Sequence, residues 1–230
     1  MVASVLAQPR TVGVSVGEWF MYGDISVHWS SNDPNATIPD YLVEFNHTEY
    51  ATISIVNFVN TNVTVDMTTH YKNGSDEITG GFVDVETGDG DNATMLIISA
   101  NLNENDTIYT SGMYSTWRIN ETITRIYPDS VRETNHLNVT MEYTMPPIYQ
   151  YTSLNYYWDR PTGMLVEMSQ NLNQQMGENI TTASMSIRIT DSDVWVIPEF
   201  PTSTTIILAL AVLTTATILL RRKKLRIAIH

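Results

Sequence analysis

The stretch LNVTMEY, residues 137–143, alternates apolar with polar side chains from its first residue to its last. A period of two is the signature of a β-strand with one buried face and one solvated face. The same alternation recurs over residues 63–71 and 183–189. We therefore expect β-strands, rather than helices, along most of the chain before residue 200.

Turn-forming residues separate the alternating stretches. They are Asn73-Gly74 and the segments 79–81, 87–91, 128–130 and 160–163. Further strands are predicted near 17–29, 41–46, 51–58, 80–86, 93–99, 117–127, 148–158 and 164–171, with at most a short helical turn within 99–108. About ten strands joined mostly by tight turns predict a mainly β fold, an antiparallel meander that forms a curved sheet, a closed barrel, a half-barrel or a sandwich.

The composition sets limits on function. Of the 230 residues, 43% are apolar and 16% are charged, which is enough apolar material for a packed core. All 25 acidic residues precede residue 200, whereas five of the 12 basic residues follow it, so residues 1–200 carry a net charge of −18. Such a field repels phosphate, and nucleic acid is therefore excluded as a partner. The chain has no cysteine for a disulfide or thiol chemistry.

The segment TSTTIILALAVLTTATILL, residues 202–220, has no charged residue. A helix of this length would span about 28 Å, close to the hydrocarbon thickness of a bilayer. Four basic residues, Arg221, Arg222, Lys223 and Lys224, follow it directly. By the positive-inside rule, we expect a single-pass protein of the plasma membrane with a basic cytoplasmic tail, 221–230, and an extracellular β domain, 12–197.

The N-terminal sequence MVASVLAQPR is too short for a complete signal peptide, although Val5-Leu6-Ala7 resembles the small-residue pattern that ends one. We interpret residues 1–11 as the remnant of a signal peptide, or alternatively as a flexible N-terminus.

Asn-x-Ser/Thr triplets are more frequent than composition predicts. With 18 Asn and 47 Ser plus Thr, chance would produce about four, and the sequence has nine. Such triplets accept glycans only on an exported chain, in agreement with the predicted topology. The predicted glycosylation sites are Asn35, Asn46, Asn62, Asn73, Asn92, Asn105, Asn120, Asn138 and Asn179.

Between the β domain and the apolar segment lies Pro198-Glu199-Phe200-Pro201. A Pro-Glu-Phe motif followed by an apolar helix and a basic cluster resembles the C-terminal sorting tails of archaeal cell-surface proteins of the PEF type. The resemblance implies that an archaeosortase-like transpeptidase recognises the tail and exchanges it for another anchor. The alternative is that the two prolines only stiffen the stem above the membrane.

A second resemblance lies at residues 156–166, YYWDRPTGMLV. An aromatic strand, an Asp-x-x-Thr-Gly turn and an apolar strand resemble a hairpin of the lipoprotein-carrier half-barrels, which hold acyl chains in a concave sheet. The resemblance implies a ligand cavity lined by nearby aromatic residues, namely Tyr149, Tyr151, Tyr156, Tyr157 and Trp158. The alternative is that these rings form core and cross-strand pairs.

The sequence contains no H-E-x-x-H metal motif, no P-loop and no dinucleotide fingerprint. The acidic residues Asp84, Glu86, Asp89 and Asp91 are candidate Ca²⁺ ligands, but their spacing is not that of an EF-hand. We predict a protein that is not an enzyme and has no cofactor. Two functions remain, a structural or adhesive role among other cell-envelope glycoproteins, and a binding module for an apolar or glycan ligand near the lipid bilayer.

Overall fold

Nine β-strands and one α-helix make up the part of the chain that the computed structural model describes, residues 9–128 and 130–195. The strands are β1 Trp19–Ser31, β2 Thr48–Val59, β3 Asn62–Tyr71, β4 Asp76–Asp84, β5 Glu121–Tyr127, β6 Ser130–Met145, β7 Ile148–Asp159, β8 Leu165–Met176 and β9 Asn179–Ser192. The helix α1 is Asp40–His47, and a 3₁₀ turn, Asp193–Trp195, follows β9.

All nine strands belong to one antiparallel sheet in the order β4-β3-β2-β1-β9-β8-β7-β6-β5. Two meanders, β1–β4 and β5–β9, meet where β1 pairs with β9, from Phe20 opposite Ser192 to Ser31 opposite Thr181. The two outer strands, β4 and β5, do not pair, so the sheet is open. The prediction of a mainly β, antiparallel meander is confirmed, and the sheet is neither a closed barrel nor a sandwich.

The connection between β4 and β5, residues 85–120, must cross the sheet because these strands form its opposite edges. Eight strand spacings correspond to about 38 Å on a flat sheet. This crossing segment lies against one face, which we call the inner face. The amide of Leu165 donates to the carbonyl of Leu96 at 2.8 Å, and the indole of Trp158 donates to the carbonyl of Met95 at 2.9 Å.

The core lies between the inner face and the crossing segment. Ile97, Ile98 and Tyr109 of the segment are fully buried. The strands contribute Phe20, Tyr22, Ile53, Ile55, Val63, Val65, Val83, Leu137, Trp158 and Ile189, all buried. Their alternate positions follow from the period of two, which places every second side chain on the same face.

Three details differ from the sequence-based expectation. Residues 41–46, predicted as a strand, belong to α1, which buries Leu42. Residues 93–99, also predicted as a strand, lie in the crossing segment without regular structure. The predicted turn at 79–81 is instead the middle of β4, where Gly81 faces Ala93 of the crossing segment.

The β7–β8 turn joins the sheet to the crossing segment through Gly163. This glycine has φ +73°, and a Cβ placed on it would lie 2.1 Å from the carbonyl oxygen of Ile98. Its own carbonyl accepts the amide of Ile98 at 2.9 Å. Only glycine combines this backbone conformation with such a close approach.

We predict that Gly163→Ala lowers the free energy of unfolding by at least about 3 kcal/mol, because the left-handed conformation and the overlap with Ile98 both oppose a methyl group. Gly177→Ala is the matched control, since Gly177 has φ +64° and nothing within 4 Å of the added Cβ. It should cost only about 1 kcal/mol. Urea titrations followed by tryptophan fluorescence measure both, and equal losses would contradict the close approach.

Candidate functional site

The inner face continues beyond the crossing segment towards the β6–β7 and β8–β9 turns, and we call this continuation the distal inner face. Cross-strand pairing places Val27 beside Met185, Leu172 beside Ala183 and Val139 beside Leu154. Its side chains are Ile25, Val27, Trp29, Ser31, Val139, Met141, Tyr143, Gln150, Thr152, Leu154, Gln170, Leu172, Gln174, Thr181, Ala183 and Met185. None of them is charged, although the β domain is strongly acidic.

The distal inner face is less covered than the core. Val27, Trp29 and Leu172 are half-buried, whereas the inner-face residues beneath the crossing segment are almost fully buried. The ring contacts of that segment extend as far as Tyr156, whose ring lies 6.3 Å from that of Trp117. The inner face thus consists of a filled core half and a half-buried, uncharged half that mixes apolar with neutral polar side chains.

The aromatic residues expected to line a cavity do not share one face. Tyr156 and Trp158 lie on the inner face, stacked with their ring centroids 5.4 Å apart. Tyr149, Tyr151 and Tyr157 lie on the opposite, outer face, because they alternate with the inner residues along β7. Only the first two therefore belong to the core, where the crossing segment covers them.

A network of paired charges occupies the outer face near the core end of β5–β8. Arg125 donates two hydrogen bonds to Glu167, at 2.7 and 2.9 Å, and lies 4.1 Å above the ring of Tyr157. Burial alone would lower the pKa of Arg125, but the attraction of Glu167 and the neighbouring tyrosines outweighs it and raises that pKa. His136 stacks on Tyr157 and contacts Glu121 at 2.9 Å. These pairs join side chains on β5 to β8 and on β6 to β5, so the network ties strands of the sheet together.

At the other end of the outer face, six side chains form what we call the distal tyrosine patch. In two cross-strand rows these are Glu142, Tyr151 and Asn173, and Thr144, Tyr149 and Gln175. They line a cleft of about 300 Å³. The amide of Gln175 donates to the carbonyl of Gly177, whereas the other five side chains make no hydrogen bond or ion pair within residues 9–128 and 130–195. Register brings this patch together, and only its two tyrosines were among the residues singled out from the sequence.

A cleft of about 750 Å³ lies between α1 and the β3–β4 turn. Tyr71 lines it and donates a hydrogen bond to Glu77 at 2.6 Å, which is the main reason that its pKa is raised to about 12. Asn73, a predicted glycosylation site, lines the same cleft.

The nine predicted glycosylation sites all lie among the residues that the structure describes. Asn62 and Asn179 are half-buried, and the side-chain amide of Asn179 donates to Asp33 at 3.0 Å. The exposed ones are Asn35, Asn46, Asn73, Asn92, Asn105, Asn120 and Asn138. Asn138 lies on the outer face, where its amide donates to Asn155 at 2.9 Å.

The candidate Ca²⁺ ligands follow β4 at the start of the crossing segment. The carboxylate of Asp84 accepts the amides of Glu86 and Thr87, and that of Asp91 accepts the amide of Phe82 at 2.7 Å. In the described part of the chain, no three His, Asp or Glu side chains converge as a metal site would require. Asp84 and Asp91 instead shape the turn and cover the open edge of β4.

The remaining predicted features lie outside the described residues. They are the first eight residues, the motif 198–201, the apolar segment 202–220 and the basic cluster 221–224. Between residues 9 and 195, no helix has the length and apolar character needed to span a bilayer.

The fold and these surfaces define a class, a single open antiparallel sheet crossed on one face by a long connection. No protein-family model matches the chain, and neither does any curated protein.

The Asp-x-x-Thr-Gly turn, which suggested a lipoprotein-carrier hairpin, is held by a buried ion pair. Asp159 is fully buried and accepts two hydrogen bonds from Arg132, at 2.7 and 2.8 Å. It also accepts the hydroxyl of Thr162 at 2.7 Å. The motif therefore fixes the turn that presents Gly163 to the crossing segment.

We predict that Asp159→Asn lowers the free energy of unfolding by about 3 kcal/mol, because the fully buried carboxylate and its charge-assisted hydrogen bonds from Arg132 are lost. Glu133→Gln is the control, since Glu133 pairs with Arg160 in the same turn but is 60% exposed. Its loss should cost less than about 1 kcal/mol. Thermal and urea unfolding of both variants measure the difference, and similar losses would show that the turn does not depend on the buried pair.

Proposed function

We propose that the chain is a membrane-anchored, N-glycosylated protein of the cell surface with a non-enzymatic, structural or adhesive role in the envelope. The observation that carries the proposal is the distribution of the glycosylation triplets. Seven of the nine asparagines are exposed, and these seven lie on α1, on β6, in two connections and on the crossing segment, around a filled core. Glycans on all these elements would fit a protein of a surface coat better than an enzyme with a buried active site.

Membrane attachment is part of the proposal. The uncharged segment 202–220 would be the anchor, and the basic cluster after it would keep the C-terminus in the cytoplasm. The Pro198-Glu199-Phe200 motif would then lie just outside the bilayer, within reach of an archaeosortase-like enzyme. On this proposal, the helix holds the motif in register until the tail is exchanged.

We predict that protease added to intact source cells digests the β domain, and that peptide mapping of native protein finds glycans on most of the exposed asparagines. Mature protein should end near residue 200 and lack the terminal peptide LRIAIH. Lysed cells are the control for protease access. Protection of the domain in intact cells would refute the orientation, bare asparagines would refute glycosylation, and recovery of LRIAIH from surface protein would refute processing.

A second candidate function is favoured by the distal inner face. We propose that the open sheet acts as a half-barrel whose distal inner face holds the hydrocarbon chain of a neutral lipid. The supporting observation is the absence of charge from its side chains in an otherwise acidic domain. A neutral apolar occupant is the one that such a surface admits without burying an unpaired charge.

For this second function, we predict that native protein carries a lipid that Met185→Asp removes, because a carboxylate on the distal inner face disfavours a hydrocarbon chain. Ser184→Asp is the matched control, since Ser184 adjoins Met185 on β9 and faces outward. Native mass spectrometry of both full-length variants measures the bound lipid. Lipid bound to segment 202–220 is common to both variants and does not affect the difference between them. Equal lipid content in both variants would exclude the distal inner face as the site.

A further inference from the structure

The two exposed tyrosines of the distal tyrosine patch present aromatic rings on which a ligand can stack, and we call these rings stacking platforms. Tyr149 and Tyr151 are 47% and 45% exposed, although each carries a large apolar ring. They lie two residues apart on β7, which separates their Cα atoms by about 7 Å along one face. The negative face of an aromatic ring attracts the weakly positive C–H hydrogens of a sugar ring, so paired platforms suit stacked sugars.

Hydrogen-bonding groups flank the rings on both sides. Asn173 and Gln175 lie opposite them on β8, and Glu142 and Thr144 lie opposite them on β6. Neighbouring strands are about 4.8 Å apart, which is within reach of the hydroxyls at the rim of a stacked sugar. Amide side chains both donate and accept hydrogen bonds, as sugar hydroxyls do.

Apart from Gln175, whose amide donates to the carbonyl of Gly177, these polar groups are available, unlike those at the other end of the outer face. There, Arg125 binds Glu167, and His136 contacts Glu121 and stacks on Tyr157. In the distal tyrosine patch, Glu142, Asn173 and both tyrosines have no intramolecular partner among the residues described. The free groups and the cleft of about 300 Å³ occur at the same place.

Charge selects the class of sugar. Residues 1–200 carry a net charge of −18, and the one ionisable carboxylate of the patch, Glu142, adds to that field at the site. Anionic sugars are therefore repelled, whereas neutral hydroxyls can donate to the Glu142 carboxylate.

We propose that the distal tyrosine patch binds neutral glycans, with Tyr149 and Tyr151 as stacking platforms and Asn173, Gln175 and Glu142 as hydrogen-bonding partners. The site deepens the adhesive role and rests on it for its biological setting, but the chemistry requires only the outer face of β6–β8. Neutral glycan chains occur on envelope polysaccharides and on the glycosylated asparagines of neighbouring copies, and the site would bind either source.

The test uses the full chain in a detergent without a sugar headgroup, applied to immobilised mannan, dextran and polygalacturonate. We expect retention on at least one neutral polysaccharide and none on the anionic one. Tyr149→Ala with Tyr151→Ala should weaken binding at least tenfold, because both platforms are lost. Tyr149→Phe with Tyr151→Phe keeps both rings and should retain most of the binding.

Tyr41→Ala is the matched control, since Tyr41 is 47% exposed on α1, away from the patch. Circular dichroism and thermal unfolding establish that each variant is folded. Competition by glycopeptides prepared from the chain itself, compared with free oligosaccharide, separates the two sources of glycan.

Failure of folded wild-type protein to bind any neutral polysaccharide would overturn the proposal. So would unchanged binding by the double Ala variant, or equal retention on polygalacturonate. Glycan binding by a chain that intact-cell proteolysis places inside the cell would refute the proposed surface role and leave the site standing. Surface exposure without glycan binding would refute the glycan site and leave the proposed surface role standing.

Discussion

The contact between the crossing segment and the inner face is the interaction on which the rest of the structure depends. An open antiparallel sheet has one face to bury, and a chain without cysteine has no disulfide to compensate for a thin core. Residues 85–120 supply the missing layer with Ile97, Ile98 and Tyr109. Gly163 and the buried pair of Asp159 with Arg132 hold the sheet close enough for backbone hydrogen bonds to form between the two layers. Because the segment joins the two edges of the sheet, one stretch of chain both connects and covers the meanders.

Strand periodicity predicted much of this fold because alternation is a local property. Alternation and turn residues correctly predicted the strands at 63–71, 137–143 and 183–189 and the turns at 73–74 and 160–163. Helix α1 was not, since only eight residues form it and Leu42 alone among them is buried. Residues 93–99 of the crossing segment were wrongly predicted as a strand. Ile97 and Ile98 are apolar because they pack against the sheet, and a local sequence pattern does not contain that long-range contact. The distal tyrosine patch depends on register between β6, β7 and β8, and register is a property of pairs of strands.

The two faces of β6–β9 divide the chemistry between them. Inward, the side chains are apolar or neutral, and they pass from a filled core to a half-buried surface. On the outer face, the paired charges around Arg125 lie at one end, and the exposed side chains around Tyr149 and Tyr151 lie at the other. The alternation that builds the strand thus separates an uncharged surface from one with exposed tyrosines and amides by a single layer of backbone. The aromatic residues of β7 serve both sides, Tyr156 and Trp158 in the core and Tyr149 and Tyr151 in water.

The pairing of β1 with β9 carries a consequence for how the molecule folds. Phe20 lies opposite Ser192, so the central pair of the sheet joins residues from the two ends of the domain. Contacts of such long sequence separation form slowly, because the loop entropy is lost before the contacts stabilise the fold. Until β9 has emerged, β1 and β8 each present an unpaired edge, which is the usual starting point for aggregation. A chain interrupted before residue 192 would therefore lack both its central strand and its protection, which makes completion of synthesis a condition for solubility.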